Sequence, residues 1–211
     1  MFKKFCLASA MIIVGIVAST AQSLAANPDV GSVTRLENDA SIIRAGSEIP
    51  LEIGAAIKEN DEITSGKDAR VEITFTDGTT LRIGENARIG IDEFLYDPDN
   101  NVGNAIIGAL QGPFRFITGK IGELKNKRIE VKSSLATIGI RGTDFWGGPS
   151  QGTYGVFLFE GTIVVFNAQG GRIVSVPGTG VDVDGADKAP AAAEAWGSAR
   201  AEAALATVTF R

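Results

Sequence analysis

The 211-residue chain contains no histidine, and its single cysteine is Cys6. Without an imidazole there is no Ser-His-Asp or Cys-His mechanism, no histidine metal site and no ordinary proton shuttle near neutral pH. The one long uncharged apolar run, Phe5 to Ala18, is shorter than the roughly 20 residues a membrane-spanning helix needs. Lys3 and Lys4 precede it and small residues ending Ser23-Leu24-Ala25-Ala26 follow, the layout of a cleavable secretory signal over residues 1–26. Cys6 lies ahead of the run, so it is not placed to carry a lipid, and its loss with the leader excludes disulfides, thiolate metal sites and a thiol nucleophile. The expected location is the periplasm or outside the cell, with no stable membrane span after cleavage. Positive charge is also short: 20 Lys and Arg against 25 Asp and Glu give −5, which argues against nucleic acid as a partner.

Nucleotide signatures are missing too. Gly112 and Gly119-Lys120 are too far apart for a phosphate loop, Ile121 stands where Ser or Thr is required, and no Gly-x-Gly-x-x-Gly opens a helix. No cofactor is expected.

What the chain does have is glycine, 26 residues, within a composition that is 44% hydrophobic. That combination fits one turn-rich β domain with a sizeable core. Val71, Ile73 and Phe75 alternate with Arg70, Glu72 and Thr74, and Leu81 and Ile83 alternate with Thr80 and Arg82, the period of half-buried strands. A two-residue Asp77-Gly78 loop would set Ile73 across from Arg82 and split the apolar set between core and water. A three-residue loop, Thr76-Asp77-Gly78, sets Ile73 opposite Leu81 and Val71 opposite Ile83. The longer loop is therefore predicted, with Gly78 left-handed in a type I turn followed by a bulge. A second apolar stretch, Tyr154 to Phe159, meets Glu160-Gly161 and resumes as Thr162 to Phe166. It reads as another strand pair, covered on both faces.

Just upstream stands Arg141-Gly142-Thr143-Asp144-Phe145. With Asp77-Gly78-Thr79, Gln111-Gly112-Pro113-Phe114-Arg115-Phe116 and Glu160-Gly161, it makes an ordered set that resembles the FecR-domain proteins of bacterial envelopes. The resemblance spans about Gly31 to Val183. It marks Asp77, Gly78, Gly142, Thr143, Phe145, Glu160 and Gly161 as structural-motif residues, with Asp77-Gly78 and Glu160-Gly161 as turns. Signalling members of that family are inner-membrane relays, in which an envelope domain senses an outer-membrane transporter and a cytoplasmic segment controls a sigma factor. Only Met1 to Lys4 precede the apolar run here, so this chain is expected to share the envelope domain and not the sigma-factor contact.

Short strand-like pieces recur along residues 27–185, and their spacing suggests an antiparallel sandwich, a roll or a short β-solenoid. Ala105 to Leu110 is ambiguous between helix and strand. From residue 186 alanine dominates, and Pro190 near its start predicts a C-terminal helical tail over 186–211. Trp196, Ala199, Ala203 and Leu205 offer it only a thin apolar face.

Candidate chemistry is sparse. Asp77, Glu85, Asp92, Glu93, Asp144 and Glu160 supply carboxylates, but their spacing supports no glycosidase pair. Asp97, Asp99, Asn101 and Asn104, and separately Asp182, Asp184 and Asp187, crowd loops without the calcium-loop pattern, so no metal is expected. Arg141 interrupts an apolar strand and is expected to be buried and hydrogen-bonded, either locking two strands or reading a partner's carboxylate. Trp146 precedes Gly147-Gly148-Pro149, a loop expected to reach solvent, which makes it the leading contact candidate. The sequence thus points to an exported, non-enzymatic interaction module that binds an envelope protein or a surface polysaccharide. The alternatives are a detached sensory component of FecR-like signalling and a secreted carbohydrate-active protein.

Overall fold

The computed structural model describes residues 27–211, so the expected secretory signal over 1–26 and Cys6 lie outside the described residues. The first strands are β1 (Asp29–Glu37), β2 (Ala40–Arg44), β3 (Ser47–Pro50), β4 (Ala56–Lys58) and β5 (Asp61–Ser65). Then come β6 (Arg70–Phe75), β7 (Thr80–Ile83), β8 (Arg88–Asp97), β9 (Val102–Gln111) and β10 (Phe114–Ile117). A 3₁₀ turn at Lys120–Glu123 leads into β11 (Asn126–Ser133), followed by the two longest strands, β12 (Thr137–Ser150) and β13 (Thr153–Asn167). The chain ends with β14 (Gly170–Val174), β15 (Thr179–Val183), the two-residue β16 (Glu194–Ala195) and helix α1 (Ser198–Ala206). The fold is all-β, and its strands form one sheet that curls into a half-barrel. Of the expected architectures it is nearest the roll.

Apolar side chains on alternate positions fill the inside of the curl, among them Ile63, Ile73, Leu81, Ile91, Phe116 and Phe145. The β6–β7 register is as expected: Val71 faces Ile83 and Ile73 faces Leu81. Gly78 has φ +85°, its N–H donates to the Phe75 carbonyl at 3.0 Å, and the Phe75 N–H donates to the Thr79 carbonyl at 2.9 Å. This is the three-residue loop, a type I turn closed by a left-handed glycine. The stretch left ambiguous is strand throughout β9, which pairs with β11 in parallel, the exception to the antiparallel expectation. A parallel pair needs a crossover, and β10 with the 3₁₀ turn supplies it.

The expected turn at Glu160-Gly161 is not a turn. Thr153 to Asn167 is one continuous strand, and β12 runs beside it for its whole length. The register slips between Arg141 and Asp144 and again between Asp144 and Phe145, so both strands bulge at the same place. Gly142 at φ +60° and Gly161 at φ +86° supply the left-handed residues. A bulge adds a residue and bends a strand without reversing it. Here the bend splits the β12–β13 ribbon in two: one half is flanked by β11 and β14, the other by β10 and β15.

The C-terminal tail differs from the helix expected over 186–211, being helical only over Ser198–Ala206. Residues 191–196 run extended, held by the Ala191 N–H on the Asp182 carbonyl at 2.9 Å and the Trp196 N–H on the Gly178 carbonyl at 3.1 Å. Helix begins only after Gly197. Gly155 and Gly180 lie directly under the Trp196 ring, where an added Cβ would come within 2.7 and 2.5 Å of it. Ala201, Ala204, Leu205 and Val208 then pack with Trp146, Phe157 and Trp196 on the side of the sheet away from the main core. Their i, i+3, i+4, i+7 spacing is that of one helical face. This second layer is why Val156, Phe157 and Leu158 are buried in succession.

Candidate functional site

The motif residues form two structural joints. At the first, Asp77 is 2% exposed. Its Oδ1 accepts the Thr79 N–H at 2.9 Å, and its Oδ2 accepts the Thr79 hydroxyl at 2.7 Å and the Ile121 N–H at 2.9 Å. The Asp77 carbonyl also accepts the Lys120 N–H at 3.0 Å, and Thr79 Oγ1 accepts the Gly119 N–H at 2.9 Å. One hairpin turn thereby holds the start of the 3₁₀ turn, whose N–H groups have no partner within the turn itself. Gly119 approaches so closely that an added Cβ would sit 2.3 Å from the Thr79 nitrogen.

At the second joint, the bend of β12 and β13, Phe145 is fully buried with its ring centroid 5.8 Å from that of Phe114, edge to face. The Thr143 N–H donates to Thr118 Oγ1 at 3.0 Å, and the Thr118 N–H donates to the Thr143 carbonyl at 2.9 Å. Asp144 and Glu160 stand opposite each other in register, a repulsive pairing for like charges. Arg115 offsets it with a bidentate grip on Asp144 at 2.8 and 2.6 Å, and its guanidinium lies 4.5 Å over the Phe159 ring. Glu160 itself is exposed. Sequence reading placed Arg115 only in an aromatic stretch, because its partner is 29 residues away.

Both contact candidates stand elsewhere than expected. Trp146 is 0% exposed. Gly147 to Ser150 continue β12 and do not form a loop, and the tail roofs the indole, whose Nε1–H donates to Thr207 Oγ1 at 3.0 Å. Arg141 is exposed, not buried, because the bulge turns that position to the outer face. Among the described residues it makes no ion pair. Replacing Arg141 with Met is therefore expected to leave stability within about 0.5 kcal/mol by chemical denaturation, where a strand lock would have cost several times that.

The loop carboxylates have ordinary employment. Asp97 accepts the Asn100 N–H at 3.1 Å and its side-chain amide at 2.7 Å, which holds the Asp97 carboxyl below its usual range. Asp182 grips Arg200 at 2.5 and 3.1 Å. Trp196 lies against Gly155 and Gly180, stacks on Phe157 with centroids 4.9 Å apart and carries the Arg200 guanidinium 3.6 Å from its ring centroid, so the indole is employed in holding the tail.

While Ile53, Leu95, Leu110 and Val176 are exposed elsewhere, exposed apolar side chains cluster on the outer face of the other half of the ribbon. Val164 (37% exposed), Phe166 (40%) and Ile173 (67%) share it with Gly139 and Arg141, next to a trough of about 420 Å³ that Lys127, Arg128 and Glu130 also line. Alternation of Val164 and Phe166 with the buried Ile163 and Val165 was the available signal, lost in a run that reads as uniformly apolar.

Residues 61–164, from β5 to near the end of β13, match the family model described as FecR protein. The chain contains a FecR domain. That domain holds both joints, Asp77-Gly78-Thr79 at one and Arg141 to Phe145 with Glu160-Gly161 at the other. No curated protein matches the chain. Among solved structures, two crystal structures of a candidate anti-sigma factor from Parabacteroides distasonis are similar to it. One has a TM-score of 0.54 at 16% identity, covering 68% of this chain and 64% of that one. The other has 0.52 at 14%, covering 68% and 63%. At this identity the likeness is one of fold, and the chain spans less than two thirds of those structures' length. No helix of the described residues is long and apolar enough to cross a membrane.

Proposed function

We propose that this FecR-domain protein is an exported, non-enzymatic interaction module that binds another envelope protein or a surface polymer. The observation carrying the reading is the employment of the motif side chains: Asp77, Thr79 and Asp144 are engaged with backbone, with one another or with Arg115, so their polarity serves the scaffold. Binding then falls to exposed faces and strand edges. A second reading, a sensory component of FecR-like signalling, draws support from the fold shared with the candidate anti-sigma factor.

The test is photo-crosslinking in intact cells, with the reactive group placed in turn at the exposed Ile53, Leu95 and Ile173 and the half-buried Thr137. Adducts to a defined envelope protein or polymer are expected from at least one surface. Their absence from all four, or substrate turnover by the purified protein, overturns the reading. An adduct with an outer-membrane transporter would select the signalling version.

A further inference from the structure

The bend at Gly142 and Gly161 leaves the β12–β13 ribbon with two outer faces that are treated differently. Over Trp146 and Phe157 the chain lays its own helix, α1, with an apolar stripe down and the bidentate Arg200–Asp182 pair at its side. Over Val164, Phe166 and Ile173 no described residue lies, although these side chains make a continuous apolar strip across β13 and β14.

Beside that strip the character of the face changes. Gly139 leaves the start of β12 bare, with the nearest atom to an added Cβ at 3.8 Å, so the floor is low and unfilled. On the far side stand Arg141 on β12 and Arg128 and Lys132 on β11. Two carboxylates neighbour these three cations: Glu93, bonded to Asn104 beside Arg128, and Glu130, which Arg128 holds at 2.9 Å in each of two contacts, pulling its carboxyl below the usual range. Lys132 approaches the same carboxylate at 4.0 Å. Arg141 is uncommitted. In a chain of net charge −5, this face carries a local positive excess alongside an apolar strip.

We propose that this face is the docking surface for an amphipathic helix of a protein partner, its apolar stripe on Val164, Phe166 and Ile173 and a row of carboxylates along one flank facing Arg141, Arg128 and Lys132. The proposal rests on the interaction-module reading and names the partner's chemistry. Two arguments select this occupant. A helix already roofs the equivalent surface of the same ribbon, so the geometry of the sheet accepts one. The cations lie to one side of the apolar strip, and their complement is a stripe bordered by acid on one side. A second copy meeting this face with the same face would bring like charges together. Residues 1–26 contain no Asp or Glu, so that segment lacks the required flank.

The test uses two labelled synthetic peptides of about five helical turns. Both carry the same leucine and alanine stripe, flanked in one by glutamates and in the other by lysines. Binding to the purified chain is followed by fluorescence anisotropy at low salt and at physiological ionic strength. The acidic peptide is expected to bind at least tenfold more tightly than the basic one, with the preference narrowing as salt screens the exposed cations. Val164→Ser with Ile173→Ser should weaken it at least tenfold, and Arg141→Glu with Lys132→Glu should reverse the preference. All four positions are partly or fully exposed, and circular dichroism checks that the variants keep their fold. Equal binding of the two peptides, indifference to the serine variants, or binding only to vesicles of anionic lipid overturns the proposal. If both peptides fail while Ile53 or Leu95 still crosslinks a partner in cells, this face is wrong and the interaction reading stands. If no surface crosslinks, both fall.

Discussion

Replacing Asp77 with alanine should lower the unfolding free energy by about 3–5 kcal/mol, a large share of what a domain this size has to lose. The carboxylate accepts from two backbone N–H groups, those of Thr79 and Ile121, and from the Thr79 hydroxyl. Each is a charge-assisted bond in a site closed to water, and truncation leaves the donors buried without acceptors. A second variant, Asp77→Asn, separates this account from simple loss of charge. Each carboxylate oxygen faces a backbone N–H, so whichever position the amide nitrogen takes, a donor meets a donor. Asp77→Asn should therefore still cost about 2–3 kcal/mol. Urea unfolding followed by intrinsic fluorescence measures both. An Asp77→Asn protein as stable as the parent would show that the clasp contributes little.

Gly161→Ala should be more damaging than Gly142→Ala although both glycines are left-handed and only 19 residues apart in sequence across the same bend. An added Cβ at Gly142 meets nothing within 4 Å, leaving only the left-handed backbone penalty of roughly 1–2 kcal/mol. At Gly161 the same atom would lie 2.0 Å from the Gly142 carbonyl oxygen and 2.9 Å from Thr143 Cα. Those are backbone atoms of the facing bulge, so no side-chain rotation relieves the overlap and the two strands must separate. A loss of about 4 kcal/mol or more is expected, lowering the melting temperature by roughly 10 °C or preventing folding. Equal melting temperatures for the two variants would mean that the bend is looser than these close approaches require.

The contrast between Gly78 and Gly161 shows how much of this fold was legible beforehand. Both follow an acidic residue, precede threonine and take positive φ. At Gly78 the alternation of Val71, Ile73, Phe75, Leu81 and Ile83 decided the loop length, because any other register would have exposed half of the apolar side chains. At Gly161 the flanking residues are apolar on nearly every position, so alternation carried no information and a bulge was read as a turn. Trp146 was misplaced for a related reason: Gly147-Gly148-Pro149 has loop composition, yet here the glycines make room for Phe114 and Pro113 beside a continuing strand. Arg141 was expected inside because its neighbours are apolar, and the bulge reversed that assignment. All three errors lie at or beside the bend, where strand periodicity fails.

Composition and side-chain alternation alone determined that the chain is all-β, that its first long hairpin turns through three residues, and that it has no histidine. These follow from local rules: period two, the left-handed freedom of glycine, and the donor inventory of the residues present. Only the tertiary structure decided that Asp77 clasps a segment 44 residues away, that the two long strands bend instead of turning back, and that the tail roofs one outer face while leaving the other bare. Each of those depends on which distant backbone groups meet when the sheet curls.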